Sequence, residues 1–122
     1  MKDFKSFTSF SIDNLEKAKV FYSEKLGLNV DVLEEHDVLM TNTGGDTRFL
    51  AYVKEDHTPA EYTVLNFDVN NIESVVDTLT ERGVTFEQYE GTNEKGIAER
   101  GPSKAAWLKD PAGNWIGIFQ EV

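Results

Sequence analysis

Apolar and polar residues alternate along Phe10-Ser11-Ile12 and again along Phe67-Asp68-Val69. That period of two predicts a half-buried strand in each place. The spacing then changes. Leu15, Ala18, Tyr22 and Leu26 recur at helical intervals after the first strand, and Ile72, Val75, Val76 and Leu79 after the second, so each strand leads into an amphipathic helix. Asp13 with Glu16, and Asn70 with Glu73, form capping-box-like starts in which Asp or Asn takes the cap role. Gly27 and Gly83 supply the stops. The two stretches align at an offset of 57: Phe10 meets Phe67, Ile12 meets Val69, Asn14 meets Asn71, Leu15 meets Ile72, and Glu16 meets Glu73. The second copy is one residue shorter just before its glycine. The chain therefore carries an internal repeat.

Three further strands are predicted after each helix. In the first half they lie near 28–34, 37–43 and 47–54, with turns at His36-Asp37 and Gly44-Gly45-Asp46. In the second half they lie near 84–89, 104–109 and 114–120, the last two joined by a short turn at Asp110–Asn114. Residues 90–103 show no period and are read as a long charged loop, a length that marks functional or mobile segments. The expected fold class is α+β. Two tandem βαβββ modules, about 1–55 and 62–122 with a linker at 55–61, form one domain, a pseudo-two-fold half-barrel with a central cleft able to hold a ligand.

Composition narrows the function classes. The chain has 122 residues, enough for one domain with a real core. It has no cysteine, which excludes disulfides, zinc–thiolate sites and cysteine nucleophiles. The N-terminal segment is too polar for a signal peptide, and no apolar run would span a bilayer. A cytoplasmic protein with no membrane partner is expected. The net charge of −10 disfavours nucleic acid and modestly favours a cationic small molecule.

Four further segments, Asn14-Leu15-Glu16, Phe21-Tyr22, Leu26-Gly27-Leu28 and Asp110-Pro111-Ala112-Gly113-Asn114, resemble the vicinal-oxygen-chelate superfamily, which includes glyoxalase I, extradiol dioxygenases, fosfomycin-resistance enzymes and bleomycin-binding proteins. The resemblance covers nearly the whole chain. It implies a divalent metal held by His, Glu or Gln from the first and last strand of each module. Counting from the shared segments puts those four positions at Phe7, Ala51, Val64 and Gly117, the second by aligning residues 48–55 with 114–121. None of the four side chains can donate a lone pair to a metal. Slips of one or two residues bring in Thr8, Ser9, Tyr52, Tyr62, Thr63, Asn66 and Trp115, still without histidine or carboxylate. No metal and no cofactor are predicted. His36 and His57 are read as residues of solvated loops, and no catalytic residue is assigned.

Without metal ligands, the expected binding wall consists of Phe7, Ala51, Val64, Trp107, Trp115, Gly117 and Phe119. Its aromatics either pack as core or stack a flat ligand. Arg48, Glu94, Glu99 and Arg100 either orient that ligand or lie in solvent. Three functions follow: a non-catalytic binder of an apolar, flat or cationic small molecule, like the bleomycin-resistance branch; a metal-dependent lyase, isomerase or dioxygenase with an atypical site; or a regulatory or interaction module with a filled cleft. The resemblance also implies a homodimer.

Overall fold

A computed structural model of the protein describes residues 1–121. Val122, the last residue assigned to the second module, lies outside the described residues. The chain divides into two compact units, Met1–Thr58 and Pro59–Val122. Each contains one four-stranded mixed sheet and one principal helix, the α+β architecture expected of paired βαβββ modules.

In the first unit the elements run β1 (Thr8–Ile12), α1 (Leu15–Val20), β2 (Asn29–Leu33), β3 (Val38–Asn42) and β4 (Arg48–Val53). The sheet order is β1-β4-β3-β2, with β1 and β4 parallel and the other pairs antiparallel. Phe10 pairs with Ala51, and Ala51 with Leu39. Paired residues point to the same face, and here that face is buried. Phe10 stacks on Phe49 at 5.4 Å between ring centroids, and Tyr22 meets Phe49 at 5.3 Å and Phe10 at 6.4 Å. The core of this unit thus lies between the sheet and its helical segment.

That helical segment explains the unequal length of the repeats. After Val20 the chain runs on through Phe21–Lys25 as a wider turn, with Leu26 N–H donating to Phe21 C=O, five residues back. One added residue bulges out of the α-helical ladder while the residues on either side keep their faces. The second copy lacks both the residue and the bulge. The helix starts also differ from expectation by one position. Asn14 Oδ1 accepts from Lys17 N–H and Asn71 Oδ1 from Ser74 N–H, so the caps are Asn14 and Asn71 rather than Asp13 and Asn70. Asp13 and Asn70 therefore lie one residue too early for the orphan amides, and Glu16 and Glu73 fall one residue short of the position a capping box needs.

In the second unit the elements are β5 (Thr63–Asp68), α2 (Ile72–Glu81), β6 (Ile97–Arg100), β7 (Ser103–Lys109) and β8 (Trp115–Gln120). The sheet order is β5-β8-β7-β6, with β5 and β8 parallel. Ile116, Ile118, Ala106 and Leu108 are buried on one face, and Ile72, Val76 and Leu79 of α2 are buried against β7 and β8. The strand expected at 84–89 does not form. Val84 and Phe86 are buried, yet the segment makes only a bridge from Phe86 to Leu108 and a bond from Glu87 N–H to Trp107 C=O. The remaining edge of β7 is taken by β6, which lies inside the stretch read as a loop. Gly96 permits the approach: at φ +87° it sits where an added Cβ would be 2.9 Å from Phe86 Cβ.

The turn Asp110–Asn114 closes the β7–β8 hairpin as expected. The buried Asp110 carboxylate accepts from the N–H groups of Ala112 and Asn114 at 2.9 and 2.8 Å and from the Asn114 amide at 3.1 Å. These bonds fix the start of β8 and hence the register of the site residues on it.

The first unit carries one tension. Thr41 is fully buried and its Oγ1 has no hydrogen-bond partner among the described residues. A buried hydroxyl without a partner costs roughly 1–3 kcal/mol. Thr41→Val keeps the shape and removes the group. It should raise the unfolding free energy by about 1 kcal/mol, read from the midpoint of urea denaturation at unchanged slope.

Candidate functional site

The sheet of the second unit has one face covered by α2, and strand pairing assigns the residues of the opposite face. Gly117 pairs with Asn66 on one side and Trp107 on the other, Trp115 with Thr63 and Lys109, and Phe119 with Ala105. Because Ile116 and Ile118 face the helix, Trp115, Gly117 and Phe119 face away from it. The same alternation puts Arg100 and Trp107 on this second face.

An open concavity of about 360 Å³ lies there. Its aromatic walls are Tyr62, Tyr89, Trp107 and Trp115, and its polar groups are Glu61, Thr63 and Arg100. Tyr89 and Trp107 rings stand 5.9 Å apart at 51°. Arg100 Cζ lies 5.6 Å from the Trp107 ring centroid, and Lys109 Nζ lies 4.6 Å from that of Trp115. Lys109 is also 3.5 Å from Glu87.

Gly117 organises this wall by its lack of a side chain. A Cβ there would stand 2.4 Å from Asn66 Oδ1 and 3.4 Å from Thr63 Cγ2. The Asn66 and Thr63 side chains instead lean over β8 from β5. Thr63 Oγ1 there accepts the Trp107 indole N–H at 3.2 Å, across the width of β8. A β-bulge between Thr63 and Leu65 accompanies this placement and takes Val64 out of the regular ladder.

The structure thus brings Trp107, Trp115 and Gly117 together. Phe119 is half-buried on the same face but outside the concavity, and Val64 is half-buried at the bulge. Phe7 and Ala51 belong to the first unit and differ in environment. Phe7 is exposed, with Arg48 Cζ 4.7 Å from its ring centroid. Ala51 is fully buried on the helix-covered face, so it cannot line an open wall. The pairs Phe10–Ala51 and Phe67–Ile118 show the reason. They make Ala51 equivalent to Ile118 and Leu50 equivalent to Gly117, one residue away from the sequence alignment. Of the remaining charged candidates, Glu99 points to the opposite face from Arg100, and the Glu94 C=O accepts from Gln88 Nε2. Tyr62 and Tyr89 complete the wall although neither lies at one of the four family positions, and Tyr89 reaches it because 84–89 is an irregular segment rather than a strand.

The histidines also differ from expectation in part. His36 is exposed at the end of a one-turn 3-10 helix, Glu34–His36. His57 is half-buried, with Nδ1 2.6 Å from Ser11 Oγ on β1, so it is tied to the sheet rather than loose in a linker. Beside it, a hydrogen bond from Lys54 holds the Asp56 carboxyl below the usual carboxylate range and raises Lys54 in turn.

The donor chemistry does not fit a family-type metal. The four positions carry Phe7, Ala51, Val64 and Gly117, and restoring the register only exchanges Ala51 for Leu50. Among the described residues no group of three or more His, Cys, Asp or Glu side chains is placed to hold a metal ion.

The family model Glyoxalase/Bleomycin resistance protein/Dioxygenase superfamily matches residues 7–118. No curated protein matches the sequence. Among solved structures, TnmS3, an antibiotic binding protein from Streptomyces sp. CB03234, is similar at 25% identity and a TM-score of 0.72, over 98% of each chain. A member of the same superfamily from Sphaerobacter thermophilus DSM 20745 is similar at 25% identity and a TM-score of 0.70, over 98% of this chain and 99% of its own. The fosfomycin resistance protein FosX from Mesorhizobium loti, at 10% identity and a TM-score of 0.70 over 100% and 95% of the chains, shares the fold.

The Thr63–Trp107 bond can be tested directly. Thr63→Val should move one of the two indole N–H resonances and leave the other in place. The stability loss should be about 1 kcal/mol.

Proposed function

The chain belongs to the Glyoxalase/Bleomycin resistance protein/Dioxygenase superfamily, and from that premise we propose that it is a non-catalytic binder of a flat, largely apolar small molecule. The observation that carries this reading is the concavity walled by Tyr62, Tyr89, Trp107 and Trp115. Four aromatic side chains offer large rigid surfaces for stacking, at about 1 kcal/mol per good contact beyond the area buried. Sequestration needs only such a surface and affinity. The likeness to an antibiotic binding protein over nearly the whole chain supports the same reading.

The absence of donors at the family's metal positions supports binding without turnover. The usual chemistry of a divalent metal is to polarise an oxygen or to activate a water, and both need the ion held by the protein. Chelator-stripped protein titrated calorimetrically with zinc, nickel, manganese and iron(II) should show no saturable binding tighter than about millimolar. Tight, stoichiometric binding would return the metal-dependent enzyme to first place.

Both tryptophans lie in the concavity, so their fluorescence reports directly on it. Titration with 2-naphthamide, a flat neutral probe, should change the emission saturably. Tyr62→Ala, at a residue 72% exposed, should weaken that binding about fivefold without unfolding the protein. A probe that leaves the emission unchanged at its solubility limit would count against the site.

A further inference from the structure

Resting on the ligand-binding reading above, we propose that this concavity selects a planar aromatic anion, a ring system bearing a carboxylate or a similar group, and that Arg100 recognises the charge. The chain's net charge of −10 would suggest the opposite preference. Net charge acts at long range, however, and is screened over about 8–10 Å in ordinary salt. At the rings the nearest charged groups on the indoles are cations of the chain itself, Arg100 and Lys109.

Both tryptophans already carry a cation from the chain itself. Arg100 lies over Trp107, and Lys109 over Trp115. Those are the positions a cationic ligand would seek, since the face of an indole is its most electron-rich surface. A ligand cation would have to displace them or sit beside them against like charge. An anion meets like charge only from Glu61 on the same wall, and it can keep to the side where Arg100 and Trp107 stand.

The two cations are not equivalent. Lys109 is paired with Glu87. Arg100 makes no ion pair among the described residues, and Glu61 on the same wall is not within ion-pair distance of it. Arg100 ends β6, opposite Ser103, at the margin of the aromatic floor. Its guanidinium offers parallel N–H donors, a geometry matched to a carboxylate. The contact with Trp107, 5.6 Å from Cζ to the ring centroid, keeps the guanidinium near the floor, so a flat ring can lie on the aromatics with its acidic substituent at the arginine.

The test compares three probes with one ring system: 2-naphthoate, 2-naphthamide and 2-naphthylmethylammonium, each titrated by tryptophan fluorescence on the full chain. The expected order is anion, neutral, cation, with about fivefold between anion and neutral. Raising the salt should shrink that ratio. Arg100→Gln should bring it to about one, whereas Arg100→Lys should keep it above one because the charge remains. Equal binding of the three probes, tightest binding of the cation, or an unchanged ratio in Arg100→Gln would overturn the anion preference and leave the ligand site standing. Failure of all three probes to bind would overturn the ligand site itself.

Discussion

In each unit a helix covers one face of a four-stranded sheet, and the register of every strand follows from that coverage. Phe10, Leu39, Phe49 and Ala51 must lie on the helix side in the first unit, as must Ala106, Leu108, Ile116 and Ile118 in the second. Side chains alternate along a strand, so the opposite face is then fixed without further choice. Trp107, Trp115 and Gly117 face outward because their neighbours face inward. The candidate site is thus a consequence of the core rather than a separate construction.

The same constraint explains what the sequence revealed and what it concealed. The repeat was legible because Phe10/Phe67, Asn14/Asn71 and Leu15/Ile72 serve the same purposes in both copies. The hairpin turn was legible because Asp110 and Asn114 bond within five residues. Ala51 was misplaced because RFLAYV and NWIGIF are both mostly apolar and can be aligned in two registers. Only the partners of the strands, Phe10 for Ala51 and Phe67 for Ile118, distinguish the two. β6 was not legible at all. Its four residues, IAER, show no alternation, and they form a strand because β7 offers an open edge. Non-local pairing of that kind outweighs local pattern.

The aromatic wall depends on small residues as much as on large ones. Gly117 carries no side chain of its own, yet it decides where Asn66 and Thr63 stand and how Trp107 is oriented. A composition count finds the tryptophans. It does not find the glycine that lets one of them reach across a neighbouring strand to a threonine.

The widened turn at Phe21–Lys25 bears on how a repeated protein can change. The two copies differ by a residue in length, a difference that in a continuous α-helix would rotate everything after it by roughly 100°. Here the surplus is discharged within a single loop of backbone, and Phe21 and Tyr22 remain buried against their sheet. The helix acts as an expansion joint: one copy can gain or lose a residue there while its strands, and whatever surface they present, stay where they are.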